Sequence, residues 1–272
     1  MKLSISNIAW DSRQDELMYG ELQKRGFVGL EIAPTRIFPE PPYEHLKEAG
    51  EFRERIKSQY GLCVSSMQSI WFGRSEKLFS GAAEREELFA YTKRAIDFAE
   101  AVGCKNLVFG SPKNRHTGGR EPKEVKEIAS DFFGALGRYA GAHATCLSLE
   151  PNPAIYETDF MNGSEQALAF VKETGEEGLR VNLDFGTIIA NGEKPGFLTP
   201  ETINYVNHIH ISEPYLAKVK KRAEHEVLAH LLRELDYKNY VSIEMGSLDD
   251  MGEVCEVMDY VREVFAPCSI AI

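Results

Sequence analysis

No stretch of the 272-residue chain approaches the ~20 consecutive apolar residues needed to span a bilayer, so no membrane-embedded helix is expected. Residues 1–10 hold one lysine and alternating serines, without the unbroken apolar segment and small-residue cleavage site of a secretory leader. Cysteine is scarce and odd in number: Cys63, Cys104, Cys146, Cys255 and Cys268. None forms a C-x-x-C pair, which argues against a disulfide framework and a zinc ribbon. Three of them lie in or beside apolar runs, where cysteine acts as a small hydrophobe, and reduced thiols in a cytoplasmic protein are the expectation. Positive charge is also in deficit. Lys plus Arg is 31 against 42 Asp plus Glu, a net −11, so neither nucleic acid nor an anionic membrane is an expected partner. The phosphate-binding P-loop, the G-x-G-x-x-G turn and the G-x-S-x-G elbow are all missing, which leaves nucleotide-dependent and α/β-hydrolase chemistry without a signal.

What is present is an ordinary globular composition, 43% hydrophobic and 27% charged, over a length close to the ~250 residues of one closed α/β barrel. Eight short apolar runs recur, at residues 3–8, 28–33, 62–68, 106–110, 145–150, 180–184, 206–212 and 240–246. Amphipathic helical patterns separate most of them, at 14–25, 43–60, 84–102, 122–143, 164–174, 222–235 and 250–265. Ser164 is expected as an N-cap, Pro122 in a first turn, and Gly61 and Gly103 just past helix ends. Between the sixth and seventh runs only 200–205 offers a helix. Eight strands alternating with helices predict a parallel α/β fold, a single (β/α)8 TIM barrel occupying residues 1–272 as one domain.

The strand phases favour a barrel over an open sheet. Cys146, Ser148 and Glu150 share one face of the fifth run against Leu147 and Leu149. Asn182 and Asp184 oppose Val181 and Leu183, His208 and His210 oppose Ile209 and Ile211, and Ser242 and Glu244 oppose Val241 and Ile243. An open sheet covered on both sides needs two apolar faces, whereas a barrel turns one face inward. The inward faces end in Glu150, Asp184, His210 and Glu244, at the carboxyl ends of strands, where barrel active sites are built. Three carboxylates gathered at one point need a cation or protons to neutralise them. Three oxygens and one nitrogen suit Mn²⁺, Mg²⁺ or Co²⁺, with Zn²⁺ also compatible. Glu31 and Gln68, at inward positions of the second and third strands, extend the candidate site.

These motifs resemble the sugar phosphate isomerase/epimerase superfamily, the xylose isomerase-like barrels that include family 2 AP endonucleases. The matching segments are GFVGLE at 26–31, LSLEPN at 147–152, VNLDFG at 181–186, HIHIS at 208–212 and YVSIE at 240–244. Their order along the chain carries the specificity, since each alone is degenerate. The resemblance implies that Glu150, Asp184, His210 and Glu244 bind one divalent metal, which holds two oxygens of an open-chain sugar. It further implies that Glu150 and Glu244 exchange protons with carbon beside a carbonyl, through an enediolate that the metal stabilises. The expected activity is a metal-dependent isomerase or epimerase of a small sugar, sugar phosphate or sugar acid. An inosose dehydratase-type lyase and a non-catalytic sugar-binding barrel are the alternatives. Two positions depart from the epimerase pattern: Thr187 stands where those enzymes have His, and Leu216 where they have Arg. Endonuclease IV-like repair is disfavoured, because the third and fourth strands end in Gln68 and Gly110 rather than in histidines.

Loops add further candidates. Lys113, Arg115, His116 and Arg120 cluster after the fourth strand beside Gly110 and Ser111, an arrangement expected to hold an anionic substrate group. Gly246 and Ser247 form a second candidate anion site. Trp10, Trp71 and Phe72 follow the first and third strands and are candidates for stacking on a sugar. His225 is a candidate to replace the imidazole missing at Thr187. The run at 218–222 reads as a solvated helix start, and the pattern admits a homo-oligomer.

Overall fold

The computed structural model describes residues 1–266, so Cys268 lies outside the described residues. Eight parallel strands close on themselves in sequence order. They are β1 (Lys2–Ser6), β2 (Gly29–Ile32), β3 (Cys63–Met67), β4 (Leu107–Phe109), β5 (Leu147–Leu149), β6 (Leu179–Asp184), β7 (Val206–Ile211) and β8 (Tyr240–Ile243). Closure is made by β1 against β8, with Leu3 opposite Val241 and Ile5 opposite Ile243. The fold is a single (β/α)8 TIM barrel, and every strand but β6, which starts one residue early at Leu179, is a little shorter than its apolar run.

The helices are α1 (Asp15–Lys24), α2 (Pro34–Ile37), α3 (Leu46–Tyr60), α4 (Ala82–Val102), α5 (Pro122–Ala142), α6 (Ser164–Thr174), α7 (Phe185–Asn191), α8 (Ala223–Glu234) and α9 (Met251–Phe265). Each of the longer ones carries one apolar stripe. In α9 the stripe is Val254, Val257, Met258, Val261, Val264 and Phe265, all buried at the i, i+3, i+4 spacing of a helix face. Burying one such side chain contributes roughly 1.5–3 kcal/mol, so the stripes decide which side of each helix meets the outward strand residues. Pro122 starts α5, and Gly61 and Gly103 end α3 and α4 in the left-handed conformation, at φ of 69° and 73°.

Two helix expectations are corrected. Ser164 is the first residue of α6 rather than its cap. Gly163 holds the cap position, and the Gln166 amide oxygen accepts from the Asn162 and Gly163 N–H groups instead. The helix after the sixth strand is α7, not residues 200–205, which form only a 3₁₀ turn at Thr202–Tyr205. Seven residues are too few to show a helical period. What starts α7 is the Asp184 carboxylate, which accepts from the Thr187 N–H at 2.7 Å.

The barrel interior is polar, as the strand phases require. Ser4 and Ser65 hydroxyls meet at 2.6 Å, and Asn106 joins Ser66, Ser148 and Asn207. These side chains fill the lower barrel with satisfied hydrogen bonds, and the ionisable groups lie above them. Among the described residues no helix is long and apolar enough to cross a membrane. The four described cysteines are unpaired; burial pushes the Cys146 thiol up to about 11 and the Cys104 thiol higher, leaving both protonated and unreactive.

Candidate metal centre

Four adjacent strand ends bring Glu150, Asp184, His210 and Glu244 together, with one ligand atom from each inside a sphere of contacts no wider than 4.8 Å. The parallel register sets this directly, since Asp184 lies opposite His210 and His210 opposite Ser242, two residues before Glu244. His210 Nδ1 lies 3.0 Å from Glu150 Oε1 and 3.2 Å from Glu244 Oε2. Its Nε2 lies 3.0 Å from Glu31 Oε2. With a cation in the cluster, the carboxylate behind the imidazole would keep the proton on Nε2 and leave the Nδ1 lone pair for the ion, the usual support of a metal-bound histidine. Glu31 therefore stands under the site, not in the substrate's path. Gln68 does likewise: with its amide nitrogen turned toward acceptors, it reaches Glu31 Oε1 at 2.7 Å and Glu244 Oε1 at 3.1 Å.

Every carboxylate of the cluster is held by neighbours. Asn182 donates to Glu150 Oε1 at 2.7 Å and Asn152 to Oε2 at 3.2 Å. The Thr187 hydroxyl lies 2.8 Å from Asp184 Oδ2, and the Ser212 hydroxyl donates to Oδ1. Gly110 is required by the same packing: a Cβ there would fall 2.6 Å from Glu150 Oε2. The glycine after the fourth strand thus makes room for a ligand.

The electrostatics describe a site with negative charge in surplus. Burial raises the Asp184 carboxyl, and the nearby Glu150 charge raises it further. Burial also raises Glu244, with His210 opposing the shift. For His210 burial works against the proton, but Glu244 and Glu31 outweigh it and lift the imidazole well above its ordinary range. Burial would raise Glu31 too, yet His210 and His208 hold it well below the usual carboxylate range. A divalent cation relieves this mutual repulsion, and the donor set, three carboxylates and one imidazole nitrogen, fits one.

Above the cluster opens a cleft of about 340 Å³. Its floor is Glu150, Asn152, Asp184, Ser212 and Glu244, and its rim is Pro112, Tyr156, Glu213, Tyr215 and Leu216. Asn152 and Ser212 were legible, each two residues beyond a ligand in the same strand phase. Tyr156 and Tyr215 sit in loop apices with no periodicity to mark them. Their rings pack edge to face at 5.4 Å, and the Tyr215 N–H donates to the Tyr156 hydroxyl at 2.8 Å, joining the loops after β5 and β7 over the cleft.

The expected anion site does not assemble. Arg115 is fully buried, and its guanidinium donates to the Glu150 carbonyl at 2.8 Å. Arg120 donates to the Phe79 and Ser80 carbonyls, His116 accepts from the Gly118 N–H, and Lys113 is exposed outside the cleft. Gly246 spends its N–H on the Leu216 carbonyl at 2.8 Å. The stacking expectation also fails to meet the cleft. Trp10 is buried and donates to Asp15, Trp71 is buried and donates to Thr92, and Phe72, 64% exposed, lies by a different hollow beside Arg74 and Tyr91. His225 is packed between Phe185 and Tyr260 and bonds the Tyr260 hydroxyl at 2.8 Å, outside the residues that line the cleft. The run at 218–222 is not simply solvated, because Arg222 grips the buried Glu213 carboxylate at 2.7 and 2.5 Å.

A closed parallel barrel with a carboxylate–imidazole cluster at the carboxyl ends of four strands defines a class of barrel protein. The xylose isomerase-like TIM barrel family matches residues 20–263, and the chain belongs to that family. No curated protein matches by sequence. Among solved structures, the chain is similar to 3-keto-D-glucoside 4-epimerase YcjR from E. coli, with a TM-score of 0.76 at 18% identity over 97% of this chain and 99% of that one. D-psicose 3-epimerase from Clostridium cellulolyticum H10, solved with D-tagatose, gives 0.75 at 16% identity over 97% and 99%. The IolI protein, solved with a zinc atom, gives 0.72 at 15% identity over 98% and 100%. At these identities the likeness is one of fold.

Proposed function

We propose that the protein is a divalent-metal-dependent isomerase or epimerase of a small sugar or sugar derivative, acting by proton transfer at the carbon next to a carbonyl. The observation that supports it most is the convergence of Glu150, Asp184, His210 and Glu244 at the floor of a cleft of sugar size. A cation bound by these four supplies Lewis acidity to a carbonyl beside the carbon whose proton moves. Glu150 and Glu244 face the cleft as the proton-exchanging pair. Burial raises the Glu244 carboxyl with His210 opposing the shift, and a bound cation would favour its ionised, proton-accepting form. Asp184 and His210 complete the ligand set, with Thr187, Ser212 and Glu31 fixing their orientation. The Asn152 side-chain oxygen, buried without a partner at the cleft floor, is placed to accept from a substrate hydroxyl.

Neither departure from the epimerase pattern removes a member of the cluster. Thr187 is buried against Asp184 and the Pro151 carbonyl, so it serves the ligand set rather than the substrate. Leu216 belongs to the rim. Leu216 bears on which sugar is taken, and the intact four-residue cluster favours the enzyme over a non-catalytic barrel. Solvent deuterium wash-in tests the proposal. Mn²⁺-loaded protein is incubated in heavy water with a panel of ketoses, inososes and their phosphates. The expected result is exchange of one carbon-bound hydrogen in at least one of them, lost in Glu150→Gln and Glu244→Gln. Binding of a sugar without any exchange would contradict the enzyme reading.

A further inference from the structure

We infer that the substrate is an uncharged ketose whose end distant from the metal centre is deoxygenated, selected by Leu216 together with Tyr156 and Tyr215; the inference rests on the sugar reading above. The floor of the cleft is polar, while its rim is dominated by Pro112, Leu216 and the rings of Tyr156 and Tyr215, with Glu213 turned to Arg222. Leu216 and Tyr215 are 42% and 70% exposed and both hold left-handed backbone, with φ of 54° and 62°. That conformation is unfavourable for such side chains and is maintained by bonds at both ends: Tyr215 N–H to the Tyr156 hydroxyl, Leu216 N–H to the Glu213 carbonyl, and the Leu216 carbonyl from Gly246 N–H. The same bonds leave the rim amides without free donors.

No lysine or arginine side chain lines the cleft among the described residues. The nearby cations are committed elsewhere: Arg115 to the Glu150 carbonyl, Arg120 to Phe79 and Ser80, and Arg222 to Glu213. A phosphate or carboxylate at the rim would therefore find no basic side chain and no free rim amide, and the one rim carboxylate, Glu213, already holds Arg222. A dianion desolvated there without a partner is strongly disfavoured. A terminal hydroxyl would lose its water against Leu216 and gain nothing, whereas a methyl group is buried favourably. The volume of about 340 Å³ lies at the small end for ligand sites, which restricts the occupant to one sugar unit.

Calorimetric titration of the Mn²⁺-loaded protein with a 6-deoxyketohexose, the parent ketohexose and its 6-phosphate tests the inference, because Kd is read whether or not the ligand turns over. The expected order is the deoxy sugar tighter than its parent by on the order of tenfold, and tighter than the phosphate by on the order of a hundredfold. In Leu216→Ser the advantage of the deoxy sugar over its parent disappears. In Leu216→Arg the phosphate gains at least about tenfold. A phosphate that binds as tightly as the deoxy sugar, or a deoxy sugar that does not bind, overturns the inference, as does Leu216→Arg without a gain for the phosphate. Deuterium incorporation measured on the same samples reports separately on the isomerase reading: a bound deoxy sugar that exchanges no hydrogen would sink that reading and leave the binding order intact.

Discussion

At the scale of single residues, several of the basic and aromatic groups that looked like substrate contacts prove to be supports. Arg115 is the clearest. A fully buried guanidinium with no carboxylate partner is costly, and burial lowers it to about 10. It persists because it closes the Glu150 carbonyl at 2.8 Å and adds a second, longer bond to the Met161 carbonyl, which the Asn152 N–H also reaches. Arg115→Met removes the Glu150 carbonyl's side-chain donor, and the expected cost is about 1–3 kcal/mol in urea unfolding. Gly110→Ala tests a different demand. Its Cβ would press on Glu150 Oε2, so metal affinity should fall by at least about tenfold while the unfolding midpoint changes little. His225 carries a pH signature. Burial lowers its imidazole to about 4, against 6.5 when exposed. The unfolded chain therefore takes up a proton between 6.5 and 4 that the folded chain refuses. Stability is full above 6.5 and falls on acidification across that window, by about 3 kcal/mol at most. Urea midpoints at pH 7.5 and 5 read this loss, and His225→Asn should reduce it.

At the scale of elements, the repeated apolar runs and stripes announced the eight strands and most of the helices, because burial alone dictates both periods. The phase of β5 to β8 announced the convergence of Glu150, Asp184, His210 and Glu244 as well, since a strand that alternates Cys, Ser, Glu against Leu, Leu has only one way to face a barrel. What could not be read was any element set by a single capping bond or a loop contact. The helix α7 depends on Asp184, whose carboxylate serves both as a cap and as a candidate ligand. Tyr156 and Tyr215 depend on two loops meeting, and the cations after β4 depend on which carbonyls are left open around them. The double duty of Asp184 yields a prediction at this scale. Thr187→Val removes the hydroxyl that orients the carboxylate but keeps the N–H cap, so α7 should persist by amide hydrogen exchange while metal affinity drops several-fold.

For the whole molecule, the net charge of −11 has a structural locus. Part of it is concentrated in Glu31, Glu150, Asp184 and Glu244, above a neutral, hydrogen-bonded barrel interior and beneath a largely hydrocarbon rim. That layering is what the account of function rests on: the barrel supplies rigid strand ends, the strand ends supply ligands, and the rim decides what enters. The central claim is that the four strand ends hold one divalent cation. Isothermal titration of chelator-stripped protein with Mn²⁺ tests it most directly. The account predicts one ion per chain for the unmodified protein and loss of that binding in Asp184→Asn and Glu244→Gln, with circular dichroism unchanged. No Mn²⁺ uptake by the unmodified protein, or undiminished uptake by both variants, would contradict it.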